Sequence, residues 1–173
     1  MRTYDPSALN TLANHPETVR WLLWNPEDHP ETDGFLLLDN LFEDWRFIVL
    51  HNGDRELTMD DVMAGAPLPS LALIFEWSAP GVYEVHTISH PNARGGNLVE
   101  EMKGLLHEMF TEWGADMIWG QVAVDNPRAL KFFPKIGGVS AGTGHHHVAG
   151  DVEYFRNSRE RWLADHWNEH NKC

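Results

Sequence analysis

The chain has 173 residues, a length that fits one domain with a substantial core. It is 42% hydrophobic and 23% charged, as expected of a globular protein, and no stretch approaches the roughly 20 apolar residues of a membrane helix. With 26 Asp and Glu against 13 Lys and Arg the net charge is −13, which repels phosphate backbones and argues against nucleic-acid binding.

The acidity is uneven. Residues 1–61 hold 13 acidic and 4 basic side chains, and residues 62–173 hold 13 and 9. Such a surface attracts a cationic substrate or a basic protein, or it serves solubility alone. Cys173 is the sole cysteine, so no internal disulfide is expected and a reducing cytoplasm is the expected location. The opening MRTYDPSALN lacks the apolar core of a secretion signal.

In chain order, Ser7–Trp24 predicts a helix with a break at Pro16, where Asn14 can cap the second part. Asn25–Gly34 is an acidic, proline-bearing loop. Phe35–Asn40 and Trp45–Asn52 predict two antiparallel strands, followed by a turn at His51–Asp54. Leu57–Ser70 reads as a short helix over Thr58–Met63 and then a loop. Leu71–Ser78 predicts another strand, turned at Ala79–Gly81.

Val82–Gly138 organises the chain. Val82–Ser89 predicts a strand, His90–Gly96 a glycine turn, and Asn97–Gly114 a long amphipathic helix. Leu98, Met102, Leu105, Met109 and Trp113 form its apolar stripe, widened by Leu106 and Phe110, and Gly114 stands where a helix end favours glycine. Met117–Val124 predicts a strand covered on both faces. A strand, helix and strand in this order predict a parallel pair with a right-handed crossover. Asp125–Gly138 predicts a second helix ending in glycines, followed by a strand near Val139, a histidine turn and a last strand near Val148–Phe155. Arg156–Cys173 predicts a terminal helix, with Trp162, Leu163 and Trp167 packing against something. The glycine turn before the long helix suits an anion, because the first amides of a helix lack internal partners and carry partial positive charge.

The order strand, Arg-Gly turn, helix, strand, N-x-x-A helix, Gly-Gly and two strands resembles the GNAT N-acetyltransferase superfamily. NARGGN (Asn92–Asn97) is similar to the family's acetyl-CoA pyrophosphate loop. In DNPRALKFFPKIGG, Asn126, Ala129, Phe132, Phe133, Lys135 and Gly137 fall in register with the family's N-x-x-A, aromatic pair and K-x-G-F. NHPETVRW (Asn14–Trp21) is similar to its first helix. The likeness covers most of the chain and is strongest over residues 82–138. More narrowly, YEVH, the Arg-Gly turn and Arg159–Trp162 resemble GNAT-like proteins carried by bacteriophages.

The resemblance implies an α/β (α+β) fold: a mixed, mostly antiparallel central sheet with a parallel β-α-β core and helices on both faces. It implies one acyl-CoA-binding domain over residues 1–173, with an accessory C-terminal helix at 156–170. The implied reaction is direct transfer from acetyl-CoA to an amine of a small molecule or protein, in the cytoplasm of the cell or of a phage host. Backbone amides around Arg94, Gly95, Gly96, Asn97 and Leu98 would hold the pyrophosphate. The pantetheine arm would run between parallel strands that splay apart, with backbone groups near Ile88 and Ser89 orienting the acetyl group. Asn126 would lie beside the arm, and Phe133 would line the same cofactor site.

Two positions depart from the family. Phe133 stands where many members carry a tyrosine that protonates the departing thiolate, and phenylalanine has no proton to give. Asn97 stands where glycine or alanine is preferred. These keep open a catalytically weak or inactive GNAT-fold binding protein, including a phage protein that engages a host factor or sits in the particle. An acidic mimic of nucleic acid is a further reading, which Lys103, Arg128, Lys131 and Lys135 argue against.

Glu84 and His86 are the candidate catalytic residues. They lie two apart on one strand and share a face. A neutral amine is the nucleophile in acetyl transfer, so a base is useful, and either residue can serve directly or through water. The structural alternatives are a hydrogen-bonded core histidine and a glutamate paired with arginine. His145, His146 and His147 cannot all ligate one metal in regular strand geometry, and no metal is expected. Trp21, Trp24, Trp113 and Trp119 are expected in the core, and Trp162 and Trp167 are candidates for a homodimer surface.

Overall fold

The computed structural model describes residues 2–3, 12–13, 18, 45–50, 71–89, 98–147 and 149–170. The chain forms two compact units, residues 1–76 with 86–95, and residues 77–85 with 96–173. Leu12, Ala13 and Thr18 are helical and buried within the predicted first helix. The Asn25–Gly34 loop, the predicted strand Phe35–Asn40 and the Thr58–Met63 helix lie outside the described residues.

In the first unit, strand β1 (Arg2–Thr3) pairs antiparallel with β2 (Trp45–Leu50), placing Arg2 opposite Leu50 and Thr3 opposite Val49. β2 pairs antiparallel with β3 (Leu71–Ala79), from Trp45 opposite Glu76 to Leu50 opposite Leu71. Leu71–Phe75 are all buried, so this part of β3 is covered on both faces. β1 carries no sequence signal because two residues show no alternation; pairing with β2 makes it a strand.

In the second unit, the end of β3 turns through Pro80 and Gly81 into β4 (Val82–Ser89), of which Val82–Val85 belong to this unit and His86–Ser89 to the first. Helix α1 (Leu98–Thr111) leads to β5 (Met117–Ala123). α2 (Pro127–Phe132) continues as a 3-10 turn over Phe133–Ile136. β6 (Val139–His146), β7 (Gly150–Ser158) and α3 (Arg159–His170) follow. The strand order is β4-β5-β7-β6. β4 and β5 are parallel, whereas β5 with β7 and β7 with β6 are antiparallel. The sheet is therefore mixed and mostly antiparallel, with the predicted parallel unit built around α1.

α1 buries Met102, Leu105, Leu106, Met109 and Phe110, the centre of the predicted stripe, while Leu98 and Trp113 at its ends are half-buried. Each such burial contributes about 1.5–3 kcal/mol. Gly114 ends the helix with φ 73°, and Ala115 N–H reaches back to Met109 O at 3.0 Å. The predicted second helix is two pieces. Asn126 Oδ1 accepts from Ala129 N–H at 3.2 Å, Pro127 opens α2, and Pro134 falls at the start of the tighter 3-10 turn.

Three expectations are corrected. The last strand runs three residues further than predicted, because β7 pairs with β5 as far as Ser158 opposite Met117. Ser158 Oγ then accepts from Arg161 N–H at 3.4 Å and starts α3. Two of the three histidines belong to β6 itself, which runs to His146. Trp162 is 2% exposed, so it is a core residue and offers no dimer surface. Its ring lies 5.8 Å from that of Phe110, and its indole N–H donates to His107 Nδ1 at 3.4 Å. The side chain of Trp167 lies outside the described residues.

Trp162 thus ties α3 to α1. Trp162→Ala is expected to cost about 3–5 kcal/mol, read as a lower urea midpoint. Trp162→Phe, which keeps a ring and loses the N–H, is expected to cost much less, about 1 kcal/mol in the lost hydrogen bond plus the smaller ring.

Candidate active site

The parallel ladder between β4 and β5 holds three pairs: Val82 with Met117, Tyr83 with Ile118, and Glu84 with Trp119. β5 continues to Ala123 along β7, ending at Ala123 opposite Val152. Gly120 is the next residue of β5 after Trp119. A Cβ there would lie 3.1 Å from Val85 O and 3.2 Å from Phe133 Cε1, so only glycine lets the Phe133 ring lie this close to β5.

Phe133 is 7% exposed and stacks on Phe155, with ring centroids 5.1 Å apart. It belongs to an apolar face with Ile118 and Val122, which are also buried. The other face of β5 differs. Met117, Trp119, Gln121 and Ala123 are half-buried in strict alternation with Ile118, Gly120 and Val122. The sequence predicts β5 covered on both faces and Trp119 in the core, and the structure corrects both. Trp119 donates its indole N–H to Ser78 Oγ at 3.1 Å and packs 6.3 Å from the Tyr154 ring, half-buried on the more open face.

Glu84 joins this half-open face, opposite Trp119 in the ladder. It is 9% exposed, and its Oε1 accepts from Gln121 Nε2 at 3.1 Å. Burial without hydrogen bonds would be costly for a carboxylate, and the amide offsets part of that cost. Nothing in the sequence singles out Gln121, since only the fold brings it to a residue 37 positions away. In the first unit, His86 Nε2 lies 3.1 Å from Glu76 Oε2, and both side chains are partly exposed. A carboxylate partner suits a histidine that must hold one tautomer or carry a proton.

The expected cofactor residues are only partly visible. Arg94, Gly95, Gly96 and Asn97 lie outside the described residues. Leu98 opens α1, half-buried. Ile88 is 2% exposed and Ser89 is exposed at the end of β4. Asn126 uses its side-chain oxygen to cap α2, which leaves the amide nitrogen as the donor for any ligand contact.

At the β6–β7 hairpin, His145 Nδ1 lies 3.0 Å from Asp151 Oδ1, and His146 Nδ1 accepts from Ala149 N–H at 3.2 Å. Burial, then the neighbouring charges of His147 and His145, hold His146 below the usual histidine range.

The sequence matches no protein-family profile and no curated protein. Its fold matches solved structures of spermidine N-acetyltransferases. With the enzyme from Vibrio cholerae in complex with CoA and spermine, the TM-score is 0.70 at 16% identity, over 92% of each chain. Glutamate-to-glutamine mutant forms of the spermidine/spermine N-acetyltransferase from Vibrio cholerae give 0.66 at 16% identity, over 95% of this chain and 99% of that one. A dodecameric intermediate state of the Vibrio cholerae spermidine enzyme gives 0.64 at 18% identity, over 93% and 92%. The chain thus has the GNAT fold. Among the described residues no helix is long and apolar enough to cross a membrane.

His146 makes the hairpin sensitive to pH. Its folded pKa lies below the ordinary 6.5, so the unfolded chain takes up the proton first as pH falls. Its contribution to stability is present above pH 6.5 and is lost as pH falls through the folded value. The urea midpoint is expected to drop between about pH 7.5 and 5.5, and His146→Asn to remove part of that slope.

Proposed function

We propose that this chain is an acetyl-CoA-dependent N-acetyltransferase, a single acyl-CoA-binding domain whose acceptor is a cationic amine. The observation that carries this reading is Glu84: a buried carboxylate opposite Trp119, on the half-open face of β5, within a GNAT fold. Acetyl-CoA supplies an acetyl group activated as a thioester. The backbone edge of β5 beyond Trp119 fits the amides of a pantetheine arm, which would add to it as a strand does. Ile88 and Ser89 would contribute backbone groups from β4, Asn126 its amide nitrogen, and the amides of Arg94–Leu98 would hold the diphosphate.

Glu84 takes the proton from the amine at Oε1 or Oε2, directly or through water. His86, partnered by Glu76, is the alternative base. Trp119 stands opposite Glu84 and packs against Tyr154, and aromatic rings of this kind can attract an alkylammonium group. The net charge of −13 draws cations toward the protein. The structural neighbours that act on spermidine and spermine make polyamines the first acceptors to test.

A second reading is favoured by Phe133. A buried phenylalanine stacked on Phe155 donates no proton, which suits a GNAT-fold protein that binds CoA and turns over slowly or not at all, as a phage-borne binding protein would. Two measurements separate the readings. Calorimetry with acetyl-CoA and CoA is expected to show binding under both, and an absence of binding would falsify both. Turnover on a panel of polyamines, small amines and basic peptides is expected only under the first.

Glu84→Gln is expected to lower kcat about 100-fold or more while CoA affinity stays within about twofold. Should His86→Gln show that loss instead, the base is His86. Phe133→Tyr, which places a hydroxyl where the family's tyrosine stands, is expected to raise kcat several-fold; an unchanged or lower kcat counts against the proton-donor account of this position.

A further inference from the structure

We propose that Gln121 is a positioning residue for Glu84, a neutral amide that fixes the orientation of the carboxylate and favours its ionised form. The inference rests on the reading of Glu84 as the base. In the parallel ladder Trp119 lies directly opposite Glu84, and Gln121 is the next residue of β5 on the same face. That diagonal placement brings Gln121 Nε2 to 3.1 Å from Glu84 Oε1. An ionised carboxylate only accepts hydrogen bonds, so the amide nitrogen must face it and the amide oxygen must point elsewhere.

The backbone of Gln121 is held from the other side, paired with Tyr154 in the β5–β7 ladder. The donor therefore stands on a rigid strand.

The chemistry of the donor matters. Arginine or lysine in this position would neutralise Glu84 and draw its pKa far down, making it a weak base. Glutamine carries no charge and does not titrate. It holds one oxygen in place across the whole working pH range and leaves the negative charge available for a proton. Other ionisable groups border the strand. Tyr154 stands opposite Gln121 and Arg156 opposite Trp119 on β7, and His86, which pairs with Glu76, follows Glu84 two residues on along the same face of β4. A single substitution at Gln121 leaves all of these in place.

The test is Gln121→Leu, with Gln121→Met as the unbranched replacement should leucine disturb the strand. Glu84 is titrated directly in each protein by carboxyl-carbon NMR, using glutamate labelled at Cδ and Glu84→Gln to assign the signal. Loss of the donor is expected to raise the Glu84 pKa by about 1 unit. The acidic limb of the kcat/KM profile for the best acceptor is expected to move up equally, giving about a tenfold loss near that limb that recovers at about pH 9. CoA affinity by calorimetry is expected to stay within about twofold. A Glu84 titration unchanged in the variant overturns the role of Gln121. So does a loss of rate that is the same at every pH. Wild-type protein that binds CoA yet acetylates nothing overturns the base reading instead, and the NMR titration still decides whether Gln121 governs Glu84.

Discussion

Three residue pairs join β4 to β5, and the last sets Glu84 beside Trp119. The arrangement of polar groups in the second unit follows from that pairing. β7 pairs with β5 from Met117 to Ala123 and holds the strand from the other side. Gly120 supports the arrangement on the other face. Without a Cβ, it lets Phe133 lie against the strand, and Phe155 backs that ring.

The two faces of β5 divide the work. Ile118, Gly120 and Val122 make the apolar side, where Phe133 lies, a region held by burial and aromatic stacking. Trp119 and Gln121 turn the other way, where Ser78, Tyr154 and Glu84 meet them through an indole bond, a ring contact and an amide–carboxylate bond. Polar groups concentrate where burial is partial, and each named group has a partner. The result is a buried carboxylate that accepts a hydrogen bond from a neutral amide.

Much of this architecture could be read from residues alone, because it rests on local signals. The spacing of Met102, Leu105 and Met109 announces α1, and Gly114 its end. The run from Val82 to Ser89 announces β4, and Asn126 followed by Pro127 announces α2. What could not be read depends on partners distant in sequence. β1 is two residues whose strand character comes from β2. Trp119 looks like core in composition, and only its neighbours show that its strand buries one face fully and the other in part. Trp162, set on a polar terminal helix, looks like a surface residue until α1 is placed against it. Glu84 is legible as a candidate, since a carboxylate in an apolar strand stands out. Gln121 is not, because an uncharged polar residue in a strand carries no signal until its partner is known.

Thr18, Glu84 and Asn157 are the polar side chains buried among the described residues, and of these only Glu84 ionises. Asn157 serves the backbone, its amide donating to Ile136 O at 3.3 Å beside the end of the 3-10 turn. Tyr83, whose ring is buried, stands inside the ladder opposite Ile118. In the proposed reaction Glu84 would accept the proton, while Phe133 has none to return from the apolar side. Such a site would remove a proton from an incoming amine and leave the departing group without a proton from Phe133. That asymmetry is tolerable only if the departing group is stable as an anion near neutral pH. A thiolate meets that condition, since thiols ionise near pH ~8.5, whereas an alkoxide or an amide anion does not. Phenylalanine at position 133 is thus chemically consistent with a thioester donor.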